Sequence, residues 1–486
     1  MELGVADSLA ARAVAVSLDR PPAEIDAARK RSGDLGTTAE EILRGSPRAQ
    51  APALDVRGVY AGLLKIANSA GEGSQETKVQ GLVELLRRAS PPEAKYLVRF
   101  VLGKLRLGVR EMTILDALAE RYGSGTKEAR AKIEAAFNLS SDLGLVAETL
   151  DSDGLDGLPS IHLEVGRPVR AMLAERATSL DDLLERMEGR AALEYKYDGL
   201  RVQAHIAADG SVKLYSRRLE DLSNQFPELV RALPKAAKRR PLIVEGECVS
   251  IDLETDEIRP FQDVSRRRGR KYDLERMEAE IPVCLFLFDT LLDGKETVMD
   301  QPFPERRQRL LDLIHPSERI RIAEQKVVDT AADAQLFFDA AIADGCEGIM
   351  GKSVAAGSAY RAGARGFWWI KYKRDYTQGL ADSIDGVVVG AFHGRGRRGG
   401  RYGALLLAVY NPELDQFESF SKVGSGFDDA TLAELPGRLK PHESDSAPEG
   451  VVSGLTPDRW VVPKLVMEVQ GAELTLSPIH RAAFNA

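Results

Sequence analysis

The most informative stretch of this chain reads Lys196-Tyr197-Asp198-Gly199-Leu200-Arg201, and it closely follows the apolar run Ala191-Ala192-Leu193. A lysine at the end of a short buried strand is partly desolvated, which lowers its pKa and frees its amine to act as a nucleophile. Asp198 could orient that amine or a metal, Gly199 lets the backbone approach a ligand, and Arg201 can hold a phosphate or a ribose. An exposed turn with ordinary charges explains the same residues, so the interpretation depends on the motifs further along the chain.

Groups suited to phosphate chemistry lie after this lysine, on predicted strands and at their ends. Glu245 and Glu247 interrupt an otherwise apolar strand, where acidic groups are costly unless they bind a cation or another partner. Any one such group could belong to a surface salt bridge, but together they are what binding Mg²⁺ and a nucleotide requires. The groups are Ser216-Arg217-Arg218, Glu245-Gly246-Glu247, Phe286-Leu287-Phe288-Asp289, Glu347, and Trp369-Ile370-Lys371-Tyr372-Lys373, whose alternation places both lysines on one strand face.

Length and composition indicate a multidomain globular protein. At 486 residues the chain is too long for one ordinary core, so we expect about two to four domains. Apolar residues make up 44% of the chain and charged residues 29%, and no run approaches the roughly 18 apolar residues that span a bilayer. The N-terminus lacks a basic-then-apolar signal pattern. We therefore expect a cytoplasmic protein with no membrane partner.

The cysteines argue against a zinc site and a disulfide framework, whereas the net charge does not decide whether nucleic acid is a partner. Cys248, Cys284 and Cys346 show no zinc-site spacing, and an odd number in a cytoplasmic chain argues against a disulfide framework, so buried free thiols are predicted. The net charge of −8 taken globally argues against nucleic acid as a partner. Electrostatic footprints are local, however, and this chain has concentrated basic segments.

Three regions differ in their predicted secondary structure. Residues 1–165 form an all-α domain by helical spacing of apolar residues; Ser90-Pro91-Pro92-Glu93 is a capping box, and Thr113 is the predicted cap of a helix over residues 114–119. Residues 166–376 predict an α+β domain with antiparallel sheets, and residues 377–486 predict an all-β barrel of the OB type. The predicted strands are 202–207, 242–251, 283–288, 386–392, 402–410, 417–423 and 460–470, and the predicted helices of the central region include 305–314 and 331–343.

Two glycine-rich stretches imitate nucleotide-binding motifs. Gly394-Arg395-Gly396-Arg397-Arg398-Gly399 matches the dinucleotide fingerprint, but a strand is predicted next where the fingerprint requires a helix. It is interpreted as a hairpin loop whose arginines, with Arg401, form either a basic tip suited to a phosphate backbone or a solvated surface loop. Gly348-Ile349-Met350-Gly351-Lys352-Ser353 is no P-loop, because Cys346 stands where a Walker A motif needs glycine.

The ordered motifs around Lys196 resemble those of the covalent nucleotidyltransferases, most closely the ATP-dependent DNA ligases of the archaeal and eukaryotic-like type. The resemblance covers nearly the whole chain. Residues 73–78 and 103–109 are similar to DNA-binding segments of that family, and residues 166–174 to the entry of its catalytic domain, with Ala171 where proline is usual. Residues 387–391 and 422–427 resemble its barrel segments.

The resemblance implies a three-step reaction with ATP and Mg²⁺ on nicked double-stranded DNA. Lysine attacks the α-phosphate and expels pyrophosphate, AMP passes to the 5′-phosphate at the nick, and the 3′-hydroxyl displaces AMP. The helical domain and the barrel would close around the duplex as a monomer, chiefly through backbone contacts. The residues so assigned are Lys196 as nucleophile, Glu194 and Phe288 for adenine, Arg201 and Arg217 for ribose and phosphate, Glu247 and Glu347 for the metal, and Lys371, Lys373 and Arg365 for the α-phosphate.

The chain departs from the family pattern at both ends. Family members usually carry a further helical segment before the match, and an Arg-x-Asp-Lys motif beyond the residues matched by Ser477-Pro478-Ile479, which orients the leaving pyrophosphate. The expectation is a fragment or trimmed product that binds nucleotide and DNA but is impaired in self-adenylylation. The non-enzymatic alternative is a DNA-binding remnant that uses the helices and the barrel only as a clamp.

Other enzymes share the lysine motif. A messenger-RNA capping guanylyltransferase or an RNA ligase is disfavoured by the long helical domain. An NAD-dependent ligase is expected to show a zinc site of four cysteines, which three cysteines cannot supply. The sequence leaves open a role in replication, repair or recombination.

Overall fold

The computed structural model describes residues 3–45, 54–69, 71, 73–238, 241–270, 273–374, 383–394, 396–471, 477 and 479–482, without the side chains of residues 367 and 397. The chain divides into two compact units. Unit one comprises Met1–Gly108 and Gly379–Ala486, and unit two comprises Val109–Gln378. The predicted domain boundary at residues 376 and 377 lies outside the described residues.

Helices dominate the first part of the chain. Side chains cap the first turns of several of them: Asp34 accepts from the Thr37 N–H at 2.8 Å, and the Glu93 carboxylate accepts from the Ser90 N–H at 2.8 Å, as the capping box predicts. In the described ranges, no helix is both long enough and apolar enough to cross a membrane. The α-helices are α1 (Asp7–Ser17), α2 (Pro22–Ser32), α3 (Leu35–Arg44), α4 (Val56–Asn68), α5 (Ser74–Arg88), α6 (Pro91–Val101), α7 (Glu111–Gly123), α8 (Lys127–Ser140), α9 (Leu143–Asp153), α10 (Leu180–Arg186), α11 (Pro227–Ala236), α12 (Phe261–Arg267), α13 (Leu274–Glu280), α14 (Phe303–Leu313), α15 (Ala331–Ala343) and α16 (Asp429–Leu439).

Strands begin after the helical region. Residues 242–250 and 283–293 are almost entirely buried because both faces of these strands are covered, although Glu245, Glu247 and Asp289 interrupt their apolar sequence. The strands are β1 (Leu173–Arg176), β2 (Ala191–Lys196), β3 (Leu200–Ile206), β4 (Val212–Ser216), β5 (Leu242–Ser250), β6 (Val283–Asp293), β7 (Glu296–Thr297), β8 (Ile320–Ile322), β9 (Gln325–Val328), β10 (Gly348–Ser353), β11 (Arg365–Lys373), β12 (Ile384–His393), β13 (Tyr402–Asn411), β14 (Gln416–Val423), β15 (Glu443–Ser444), β16 (Val451–Val452), β17 (Arg459–Val461) and β18 (Val466–Val469).

Unit one combines a helical core with a curled sheet. The helical core is formed by α1 to α6, with Val14, Leu82 and Val98 fully buried. The sheet has seven strands in the order β15-β17-β12-β13-β14-β16, with β18 beside β12. Bulges in β12 and β13 bend it, and α16 packs against its buried face through leucines. Its terminal strands are not paired with each other within the described residues, so it is a half-barrel.

The loop between β12 and β13 lies against the end of α2. The Gly396 N–H donates to the Gly33 carbonyl at 3.0 Å, and Lys30 Nζ lies 2.8 Å from an oxygen of Asp458. Arg398 is half-buried and donates to the Gly424 carbonyl at 2.7 Å, so this arginine is not part of an exposed basic tip, whereas Arg401 is exposed. The strands on both sides confirm a hairpin in place of a dinucleotide fold.

Unit two contains α7 to α9 and two sheets. The first sheet has the order β1-β11-β10-β2-β9, and the second has the order β4-β3-β5-β6-β7 with β8 beside β6. Both are antiparallel except where β1 meets β11 and β8 meets β6. In the first sheet, Gly348 on β10 pairs with Lys196 on β2 and with Lys373 on β11. The two lysines therefore lie at one level of the sheet.

The predicted succession of a helical part, an α+β part and a β part is confirmed. Two local predictions are wrong. The strand predicted over residues 460–470 is divided into β17 and β18, because Pro463 lies between them and has no N–H to donate to a ladder. Thr113 caps no helix, since α7 begins at Glu111 after Arg110. The cysteines are buried free thiols, as predicted.

Replacing Gly348 by alanine is expected to destabilise unit two. Gly348 has a φ of +150°, and an added Cβ would lie 2.2 Å from the Tyr372 carbonyl oxygen across the sheet. Backbone strain of this kind costs about 2 kcal/mol in the free energy of unfolding. The measurement is the urea midpoint of Gly348→Ala. Gly366→Ala on the neighbouring strand meets open space and serves as the control, and equal losses in both variants would contradict the argument.

Candidate active site

A cavity of about 360 Å³ in unit two is lined by side chains from both sheets. Every residue that the sequence assigned to the site lines this cavity. These residues are Glu194, Lys196, Arg201, Arg217, Glu247, Phe288, Glu347, Arg365, Lys371 and Lys373. Arg217 and Arg365 are exposed at its rim, and the others are buried or half-buried.

Adjacent strands bring the charged groups together. Glu194 and Lys196 are two residues apart on β2, so they lie on the same face, and the same alternation places Lys371 and Lys373 together on β11. Strand β10 lies between β2 and β11 and pairs Met350 with both Glu194 and Lys371. The first sheet thus presents Glu194, Lys196, Lys371 and Lys373 to the cavity, together with Lys352 of β10.

Glu347 joins two of these lysines. Its Oε2 lies 2.5 Å from Lys196 Nζ and 2.6 Å from Lys373 Nζ. Burial opposes ionisation of Glu347, but the two ammonium groups lower its pKa overall. Burial and a hydrogen bond to Glu347 raise the pKa of the neighbouring Asp198 to about 6. The nucleophile candidate is therefore held by an ionised carboxylate, beside a second carboxyl group that titrates near neutrality.

Glu247 reaches the cavity from the second sheet. It pairs with Arg201 across β3 and β5. Burial raises the pKa of Glu247 to about 7, although Lys196 and Arg201 act in the opposite direction. Within the described residues, no three His, Cys, Asp or Glu side chains are close enough to hold a metal by themselves.

Glu194 is held on both carboxylate oxygens. Lys352 Nζ lies 2.5 Å from Oε2, while Arg307 at 3.3 Å and Gln325 at 2.9 Å reach Oε1. Sequence reasoning missed Lys352 and Arg307. Lys352 lies next to the end of the buried strand β10, much as Lys196 ends β2, which is a usable signal. Arg307 is one of several arginines on α14 and carries no such signal.

Phe288 is less available than its predicted stacking role suggests. Its side chain is only 8% exposed. The Arg201 guanidinium lies 4.3 Å from the centre of its ring, and Lys352 Nζ lies 4.5 Å from it. Burial lowers the pKa of Lys352, although Glu194 acts against this effect. A base that stacks on Phe288 must share the ring with at least one of these cations.

Comparisons with known proteins point to one family of enzymes. Residues 171–373 match the model of the ATP dependent DNA ligase domain, residues 1–119 that of the DNA ligase N terminus, and residues 398–485 that of the ATP dependent DNA ligase C terminal region. The DNA ligase 2 of Thermofilum pendens is 47% identical over 100% of this chain and 82% of its own length. The DNA ligase of Hyperthermus butylicus is 45% identical with the same coverage.

The chain belongs to the ATP-dependent DNA ligase family. The solved structure named Pmar-Lig_PreS3 shares the fold, with a TM-score of 0.51 at 18% identity over 89% of this chain and 91% of that one. Family membership overturns the capping-enzyme, RNA-ligase and NAD-dependent interpretations. Matches to the N-terminal, middle and C-terminal models argue against a non-enzymatic remnant. The protein is an ATP-dependent DNA ligase.

Replacing Glu247 by glutamine should remove a pH-dependent loss of stability in this ligase. The folded pKa of about 7 exceeds the unfolded value of 4.5, so the folded state binds the extra proton between these values and its stability falls as pH rises through them. The advantage of Glu247→Gln over wild type is therefore expected to grow by roughly 2 kcal/mol from about pH 5 to about pH 8, measured by urea unfolding. Glu128→Gln on α8, which is exposed, should show no such increase.

Proposed function

We propose that Lys196 is the nucleophile of this ligase and attacks the α-phosphate of ATP. The carrying observation is that Lys196 Nζ faces the cavity within 2.5 Å of Glu347 Oε2. The ammonium must lose a proton before its nitrogen can attack, and Glu347 is positioned to accept that proton. A P–N bond then forms as the bond from the α-phosphorus to the bridging oxygen breaks, and pyrophosphate leaves with its electron pair.

The cations around Lys196 support binding of the α-phosphate by Lys371, Lys373 and Arg365. Burial lowers the pKa of Lys371, and the nearby Lys196, Lys373 and Arg365 lower it further. Glu347 brings one negative charge to these cations, and a phosphate would supply further negative charge. Arg201 and Arg217 would hold ribose and phosphate, and Glu194 and Phe288 would receive the adenine.

The carboxylates support Mg²⁺ as the metal. Mg²⁺ is usually bound through one or two carboxylates, with phosphate oxygens and waters completing the shell. Glu247 and Glu347 fit this pattern because both line the cavity and burial raises the pKa of Glu247. When bound, the cation would neutralise charge on the phosphates during displacement.

The DNA substrate is proposed to be a nicked duplex, to which AMP passes from Lys196 before the 3′-hydroxyl displaces it. Residues 103–109 are exposed and include Lys104, which suits contact with a phosphate backbone. In the other predicted DNA-binding segment, Lys78 is buried and donates to the Leu3 carbonyl at 2.9 Å, so its ammonium is engaged inside the protein. We propose that residues 1–165, 166–376 and 377–486 act as DNA-binding, adenylation and OB-fold domains of a cytoplasmic monomer in replication, repair or recombination.

Incubation with Mg²⁺ and ATP labelled at the α-phosphate, followed by denaturing electrophoresis, tests the nucleophile. Wild type is expected to carry a covalent label, and Lys196→Ala should carry none. Lys326→Ala, an exposed lysine on β9 whose partner is Asp333, is the matched control and should label as wild type does. A label that survives in Lys196→Ala would place the nucleophile elsewhere. The wild-type rate also measures whether self-adenylylation is impaired.

Sealing is tested separately from labelling. Pre-adenylylated nicked DNA enters the reaction after the second step and needs no lysine–AMP, so Lys196→Ala is expected to retain part of the sealing activity on it. Sealing of ordinary nicks with ATP should be lost in the same variant. Failure of both wild-type reactions would contradict the proposed mechanism.

Thermal unfolding with and without Mg²⁺ tests the metal ligands. Near pH 8 the cation is expected to raise the melting temperature of wild type by a few degrees and that of Glu247→Gln less, because binding to the folded state stabilises it. Glu128→Gln should respond as wild type does. Equal responses in Glu247→Gln and wild type would exclude Glu247 as a ligand.

A further inference from the structure

We infer that Tyr360 is a positioning residue that orients Arg201 toward the nucleotide through the buried carboxylate of Glu245. This inference rests on the proposed role of Arg201 in holding the ribose and phosphate. Tyr360 does not line the cavity itself. Its effect must therefore pass through the side chains between it and the ligand.

Glu245 is the link between the two residues. Its side chain is 1% exposed, and its Oε2 accepts hydrogen bonds from Arg201 Nη2 at 2.6 Å and from the Tyr360 hydroxyl at 2.8 Å. Gln203 Nε2 reaches the other oxygen at 3.3 Å. A buried carboxylate with these donors has little freedom to turn, and truncation of one donor changes the balance of the others.

Arg201 keeps a buried donor for a ligand. Its Nη2 is engaged by Glu245, and its guanidinium lies over Phe288 and Trp369, at 4.3 Å and 5.2 Å from the ring centres. Its Nε is buried and has no acceptor among the described residues. Because the guanidinium is a rigid planar fork, fixing Nη2 also fixes the direction of the Nε–H bond. A ribose or phosphate oxygen in the cavity would satisfy this donor.

Tyr360 is itself tightly fixed. Its hydroxyl accepts from the Met172 N–H at 2.8 Å, and its ring meets Trp369 edge-on with 5.9 Å between centres. Burial raises the pKa of the Tyr360 hydroxyl, so it remains a donor to Glu245 at neutral pH. The hydroxyl can be removed as Tyr360→Phe while the ring contacts stay in place.

Tyr215 provides a control that distinguishes a positioning role of Tyr360 from a purely structural one. The Tyr215 hydroxyl donates to the Gly166 carbonyl at 2.8 Å, in the chain segment that also contains Met172. Tyr215 makes no hydrogen bond to Glu245 within the described residues. Both tyrosines hold residues 166–172, but Tyr360 alone of the two contacts the partner of Arg201. Tyr215→Phe is therefore the matched control.

The test measures the rate of covalent AMP labelling against ATP concentration. Tyr360→Phe is expected to raise the KM for ATP roughly tenfold while the maximal rate changes less than about twofold, because a hydrogen bond to a charged group is lost and the affected contact is made equally before and during reaction. Tyr215→Phe should leave the KM unchanged. In Arg201→Lys, addition of Tyr360→Phe should raise the KM no further, since residues that act through one contact are not additive.

Three outcomes would overturn the inference. They are an unchanged KM in Tyr360→Phe, an equal rise in Tyr215→Phe, and full additivity with Arg201→Lys. If Tyr360→Phe does not fold, as judged by its melting temperature, Glu245→Gln replaces it and should show the same KM effect without additivity to Arg201→Lys. Absence of label in wild type would refute the proposed function instead, so the two failures are distinguishable.

Discussion

The position of Glu347 between Lys196 and Lys373 is the constraint on which the rest of the site depends. Backbone bonds set it, because the Glu347 N–H donates to the Lys196 carbonyl at 3.0 Å and the Arg374 N–H donates to the Glu347 carbonyl at 3.1 Å. Glu347 is thereby tied to the ends of both β2 and β11. The next residue, Gly348, takes a φ of +150° so that β10 can enter the sheet between them. Without this carboxylate, the lysines that line the cavity would repel each other in a poorly solvated space.

The buried carboxylates on the two sides of the cavity, Glu194 and Glu247, differ in how far the protein compensates their charge. On one side, Glu194 is matched by Lys352, Arg307 and Gln325, so the side chain is fixed before a ligand arrives. On the other side, burial raises the pKa of Glu247 to about 7, which shows that its charge is poorly compensated by the protein. Breaking a buried pair costs about 3–5 kcal/mol, whereas a poorly compensated charge gains from an added cation. The first side is suited to orientation, and the second is suited to a ligand that brings its own charge.

Sequence reasoning located the cavity because its main residues lie on strands, whose alternation can be read directly. Lys371 and Lys373 share a face by their spacing, and the glutamates stand out against apolar neighbours. Sequence reasoning did not find Lys352, Arg307 and Tyr360, because their partners are distant in the chain. Lys352 and Glu194, for example, come together only through the pairing of β10 with β2. The covering of Phe288 by two cations likewise depends on tertiary packing. The divided strand around Pro463 and the early start of α7 show that boundaries depend on local hydrogen bonding more than on periodicity.

Strand β3 shows how a polar strand face can be buried while its side chains keep hydrogen-bond partners. Arg201, Gln203 and His205 alternate on one face. Gln203 accepts from the Val169 N–H at 2.9 Å and donates to the Val169 carbonyl at 3.1 Å, and His205 Nδ1 accepts from the Gly166 N–H at 3.0 Å. Burial lowers the pKa of His205 to about 3, so the ring stays neutral and can accept that bond. The connecting chain is therefore held by the same face that carries Arg201 at its cavity end. Gln203 and Arg201 both donate to Glu245, and Gln203 also holds Val169. A substitution at Arg201 is therefore expected to disturb the contacts that fix residues 166–169 as well.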